Sequence, residues 1–258
     1  MSASYYFALW LGYATGLLGW RAVRLGFPRL WRSDFDYHFP HPWRETLFAL
    51  LAAIATVAMG QLAANGKLMP DIPATQAPLT NLGKQVIIFS PFLFLLVIRR
   101  QPLCTAWLPP RHAGWRLLAG VALALAAVGV FVVVRRPETS FGTLLGQVYH
   151  PQNTGYAGQI ILEELAIAVL FVRWRAALGE KRFLLAVFAV AFLFSAAHYP
   201  QHLRDGLSAL GATRMVLMDG LLVSAVVYVL QRSNDILWFW PIHFAMDMMQ
   251  FYAGNPGA

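Results

Sequence analysis

Charge is scarce in this chain: of its 258 residues only 12% are Asp, Glu, Lys or Arg, against about a quarter in ordinary soluble domains. With 58% hydrophobic residues and a mean hydropathy of +0.54, that shortage excludes a soluble globular enzyme. Cysteine is nearly missing too. Cys104 alone allows neither an internal disulfide nor a cysteine-based metal cluster. Disorder is excluded because a chain with 18 Phe, 9 Trp and 9 Tyr has ample apolar surface to bury. Acidic residues are fewer than basic ones, 12 against 20, but the basic residues stand singly or in pairs, so the excess does not read as a nucleic-acid surface. No internal repeat or low-complexity run is present.

What is abundant is apolar sequence in long runs. A bilayer-crossing helix takes roughly 20 mostly apolar residues. Such runs lie at residues 5–20, 45–64, 82–98, 115–134, 158–172, 183–199, 211–230 and 236–252. The reading is an all-α, polytopic membrane bundle of about eight transmembrane helices, forming one integral-membrane domain over 1–258 with the lipid bilayer as its surroundings. The fifth and sixth runs are short and are the weakest candidates for full crossings. Residues 65–78, with three prolines, and 137–158 read as outer loops. No Lys or Arg precedes the first run, so it lacks the basic flank of a cleavable signal peptide. Alternate loops carry 14 Lys and Arg against 6. By the positive-inside rule the N-terminus then faces outward and the first, third, fifth and seventh loops face the cytoplasm.

Ionisable groups within apolar spans cost a few kcal/mol each, so they mark candidate functional positions. They are Glu163 and Glu164 in the fifth run, His198 ending the sixth, Asp219 in the seventh, and His243 with Asp247 in the eighth. Adjacent glutamates point about 100° apart on a helix, which suits one base and one helper, or a pair of interhelical hydrogen-bonding groups. Phe194 and His198 share a helical face, and Pro200 is expected to end that helix, so that His202 would not share the face of His198. His243 and Asp247, four residues apart, also share a face, where the carboxylate can hold an imidazole tautomer or simply join two helices. Asp219 reads as structural or as a residue on a substrate path. With the deduced topology, Glu163, His198 and Asp247 come level to within roughly 10 Å in the outer half of the membrane.

Adjacent glutamates, then Phe-x-x-x-His, then His-x-x-x-Asp, each on its own helix and in this order, resemble the CPBP family of intramembrane proteases (the CAAX protease and bacteriocin-processing group, with Rce1-type and glutamic-type peptidases). The resemblance spans Glu163 to Asp247, within the motif-bearing region 158–252; the first half of the chain shares only hydrophobicity. It implies that Glu163 activates the attacking water with help from His198, that Glu164 supports, and that His243 and Asp247 help to bind the oxyanion. An ionised Asp can only accept hydrogen bonds, so Asp247 is better placed as the orienter of His243, with the imidazole N–H as the electrophile. One departure stands out: the family motif is Glu-Glu-x-x-x-Arg, and here the Arg position is Ala168, with Arg173 and Arg175 read as lying beyond the span. Glu164 then needs another partner or a proton. No cofactor is the favoured reading, with zinc on Glu163, His198 and His243 as the alternative.

The implied activity is cleavage of a membrane-embedded or membrane-tethered protein near a C-terminal sorting or anchor segment. An outward-facing site resembles the myxosortase-like branch more than an enzyme trimming prenylated cytosolic proteins. The implied location is a bacterial inner membrane. Two readings from other classes stand beside it: a non-catalytic membrane partner such as an immunity protein, suggested by Ala168, and a proton-coupled transporter using the embedded carboxylates as a relay.

Overall fold

A computed structural model of the chain describes residues 3–31, 37–69, 77–109, 111–135 and 139–253. The described residues are helical, with no strand among them: α1 (Ala3–Gly26), α2 (Pro42–Ala64), α3 (Pro78–Ile98), α4 (Ala113–Arg135), α5 (Phe141–Val148), α6 (Thr154–Leu178), α7 (Phe183–Ala197), α8 (Tyr199–Arg204), α9 (Ala209–Leu230) and α10 (Trp240–Ala253). In an apolar solvent every backbone N–H and C=O must be satisfied within the segment, and a helix does this.

Six segments are long and apolar enough to cross a membrane: Pro42–Ala64, Pro78–Ile98, Ala113–Arg135, Pro151–Leu178, Glu180–Arg204 and Ala209–Leu230. The chain is thus a helical membrane protein, but the expected eight crossings are not all met. α1 has the length, 24 residues, but Tyr5, Tyr6, Tyr13 and three glycines in its middle lower its hydropathy. α10 has only 14 residues, about 21 Å of helix against a hydrocarbon core of about 30 Å.

Three local expectations are corrected. Residues 141–148 form α5 rather than loop, started by the Ser140 hydroxyl accepting from the Thr143 amide at 3.2 Å and anchored by fully buried Leu144 and Val148 against α10. Half of the expected outer loop 65–78, residues 70–76, lies outside the described residues. α6 is not short but runs 25 residues, and Arg173 lies inside it, fully buried. Arg173 donates to the Val169 carbonyl at 2.8 Å and to Gln101, and sits over the Phe39 ring. Gln101 donates in turn to Glu45 at 2.8 Å, and Glu45 also holds Arg99. Finally, the helix bearing Phe194 does end before Pro200, at Ala197, but His202 is not thereby separated from His198. Pro200 occupies the first turn of α8, where a missing N–H costs nothing, and His202 donates its amide to the His198 carbonyl at 3.1 Å.

α6 is the hub. It packs on α2, α3, α7 and α10, and its apolar stretch is 67% buried by protein where the other five segments are 22–33% buried. The helix with two carboxylates and an arginine is therefore the one shielded from lipid, as the cost of such groups in hydrocarbon requires. α4 packs along α1 and α10, with Gly120 meeting the backbone of Trp238 so closely that a Cβ there would lie 2.4 Å from the Trp238 oxygen. Arg116, in the first turn of α4, pairs at 2.8 Å with Asp235, both groups buried.

Candidate functional site

α6 presents Glu163 and Glu164 toward different neighbours, as their spacing demands. Glu164, 1% exposed, places Oε1 2.6 Å from Nδ1 of His243 on α10. Its Oε2 is buried and has no hydrogen-bond partner. Glu163, 7% exposed, accepts from the Gln159 amide at 2.8 Å, one turn earlier on the same helix. It lies within electrostatic reach of His198, His243 and Asp247. The structure therefore brings together glutamates from α6, the histidine at the α7–α8 junction, and the His–Asp pair of α10.

The imidazoles are held in defined orientations. Nδ1 of His198 is 3.1 Å from the Phe194 carbonyl oxygen. A carbonyl can only accept, so Nδ1 carries the proton and Nε2 of the neutral ring has the free lone pair. The Phe194 ring meets the His198 ring edge to face at 4.9 Å, which gives the Phe-x-x-x-His spacing a packing role. In His243, Nδ1 faces Glu164, while Nε2 is 3.6 Å from Asp247 Oδ2, beyond good hydrogen-bond length. Glu164 is thus the closer orienter of His243. Asp247 is held by Gln250 at 3.1 Å and Tyr13 at 3.4 Å.

Asp219 also has a partner. Its Oδ2 is 3.9 Å from Nε2 of His202, and its carboxylate is within electrostatic reach of His198 and Asp247. It joins the edge of the cluster instead of standing apart.

Sequence reasoning missed Gln159, His202 as a neighbour of the cluster, and Tyr13. Gln159 was findable, because it stands one turn before Glu163. Tyr13 comes from α1, whose ring lies 6.2 Å from that of His243, and nothing in the local sequence marks it.

Among the described residues no group of three His, Cys, Asp or Glu side chains is placed to hold a metal ion. Compared with protein-family models, with curated proteins and with solved structures, the chain matches none.

Proposed function

We propose that the protein is an intramembrane endopeptidase that hydrolyses a peptide bond of a membrane-embedded or membrane-tethered protein near a C-terminal sorting or anchor segment. The observation that carries this reading is the convergence of Glu163, Glu164, His198 and His243 from three parts of the chain, with Glu164 and His243 in direct contact. Adjacent glutamates with two histidines are a sufficient set for activating water.

Glu163, with His198 Nε2 as a second acceptor, takes a proton from water, and the oxygen attacks the scissile carbonyl carbon. The doubly protonated His243 ring, held through Nδ1 by Glu164, donates from Nε2 to the developing oxyanion. The proton taken from water passes to the departing amine as the C–N bond breaks. His243 thereby fills the need created by Ala168: where the CPBP motif places arginine beside its second glutamate, a histidine on α10 meets Glu164 here. The excess of Lys and Arg in alternate loops, 14 against 6, supports an outward N-terminus and an outward-facing site, and we place the protein in a bacterial inner membrane.

The test is a comparison of C-terminal peptides in membrane fractions of cells carrying the wild-type chain, Glu163→Gln or His198→Ala, with folding monitored in parallel. A membrane protein left uncleaved in both variants is the expected result; unchanged cleavage in both sinks the proposal. Ala168 favours a second reading, a non-catalytic membrane partner of the same type. In that case both variants keep full biological function. Transport following a pH gradient and lost in Glu163→Gln would instead indicate a proton-coupled carrier.

A further inference from the structure

α2 and α7 both lean on α6. Where they diverge, at the end of the bundle bearing the α2 N-terminus and the α6–α7 turn, they leave an open cavity of about 440 Å³. Its walls are Leu47 and Leu50 from α2, Trp174 and Leu178 from α6, and Leu185 and Ala189 from α7. Apart from the indole N–H groups of Trp43 and Trp174, the one polar group on the wall is Thr46, and its hydroxyl is already engaged with the Pro42 and Arg173 carbonyls. The walls between the two tryptophans are otherwise aliphatic, which selects hydrocarbon.

The rim has the opposite character. Trp43, 62% exposed, and Trp174 stand at the mouth, where interfacial tryptophans belong. Arg44 follows Trp43 with about half its side chain exposed and only a 3.8 Å approach to Glu45. Lys181 and Arg182 are exposed on the turn joining Leu178 to Leu185 and make no ion pair with the described residues. The one acid of that turn, Glu180, is committed to Arg175 at 2.8 Å. A dry apolar slot beneath uncommitted cations complements a molecule with hydrocarbon chains and a negative headgroup.

We infer that the α2–α7 groove is a binding site for an anionic glycerophospholipid, one acyl chain lying between Leu47 and Ala189 and the phosphate meeting Arg44, Lys181 and Arg182. The site is separate from the glutamate–histidine cluster and does not depend on the proposed activity. The Thr46 hydroxyl contacts the Arg173 carbonyl, which places the groove about ten residues, or roughly 15 Å, along α6 from Glu163.

Native mass spectrometry of the delipidated full-length protein, given phosphatidylglycerol or phosphatidylcholine with identical oleoyl chains, tests this. Phosphatidylglycerol is expected to be retained at roughly tenfold lower concentration than phosphatidylcholine, and the double variant Lys181→Gln, Arg182→Gln to lose that margin. Ala189→Trp, which fills the slot and leaves the cations intact, is expected to lower phosphatidylglycerol retention as strongly. Leu47→Trp is the same obstruction on a wall residue 54% exposed, for use if Ala189→Trp fails to fold. Equal retention of the two lipids overturns the proposal, as does unchanged phosphatidylglycerol retention in either the charge variant or a folded slot-filling variant.

Discussion

Glu164 Oε1 and His243 Nδ1 stand 2.6 Å apart and tie α6 to α10. Both side chains are largely shielded, 1% and 15% exposed. The contact fixes which imidazole nitrogen faces the carboxylate and leaves the other directed toward Asp247. A carboxylate beside an imidazole in a low-dielectric interior is a strong, oriented interaction, and its loss exposes two unsatisfied groups at once.

Replacing Glu164 therefore has a two-part expected effect. Glu164→Ala should lower stability by about 1–3 kcal/mol and release the His243 ring, visible as a changed imidazole resonance in NMR of the histidine-labelled protein. Glu164→Gln keeps an acceptor oxygen within reach of Nδ1 and should retain most of the stability. Equal losses in the two variants would mean that the contact does not orient the ring.

Arg116 and Asp235 form a buried pair at 2.8 Å, and Asp235 also accepts from the Leu237 amide. Arg116→Ala should cost about 3–5 kcal/mol by stranding a buried carboxylate, whereas Arg116→Met with Asp235→Leu should cost far less. Chemical denaturation in detergent checks both. Burial pushes the Asp235 carboxyl above the usual carboxylate range, with Arg116 and the Leu237 amide opposing. The folded state then holds this proton at pH values where the unfolded chain has released it. The group's contribution to stability is full below the unfolded value, about 3.9, declines as pH rises toward its folded value, and is flat above. Asp235→Asn should remove that decline from a plot of unfolding midpoint against pH.

Gly120 and Gly129 lie on the same helix with opposite surroundings. A Cβ on Gly120 would meet the Trp238 oxygen at 2.4 Å, and one on Gly129 would meet nothing within 4 Å. Gly120→Ala should therefore destabilise by about 1–3 kcal/mol, and Gly129→Ala should be neutral or up to about 1 kcal/mol stabilising. Thermal unfolding of the two variants side by side decides it.

Arg173 is fully buried and is held by the Val169 carbonyl, Gln101 and the face of Phe39. Arg173→Ala should cost about 3–5 kcal/mol, because Gln101 and the chain to Glu45 lose their cation. Arg173→Lys should recover little, since an ammonium lacks the planar fork that spans a carbonyl and an amide while lying over a ring. Full recovery with lysine would show that charge alone matters there.

The helical elements were legible because their signal is long and local: every apolar run has a helix at its place, although α1 and α6 extend well past the ends of their runs. The crossing count was less legible. Hydrophobic runs alone do not separate a spanning helix from α10, whose buried Ile242 and Met246 pack against Gly16 and Gly12 of α1. Amphipathic α5 was missed because its turn-forming neighbours masked an eight-residue helix. Arg173 was read as lying beyond the span because charge was taken as a sign of water, whereas it has protein partners in the fold. At the candidate site, the carboxylates and imidazoles could be picked out one by one from their cost in an apolar span. Their pairing could not, since Glu164 and His243 are 79 residues apart and Tyr13 lies on a helix with no polar motif.

α6 has the lowest mean hydropathy of the six crossing segments, 1.6, and the greatest burial by protein. During synthesis it emerges well before α10, so for that interval Glu164 sits in a nascent membrane protein without His243. The pairing that organises the cluster is thus the product of late assembly. A ribosome stalled before Trp240 would leave α6 with its charge unanswered, and quality-control proteases that survey the membrane for unpaired polar helices would meet it first.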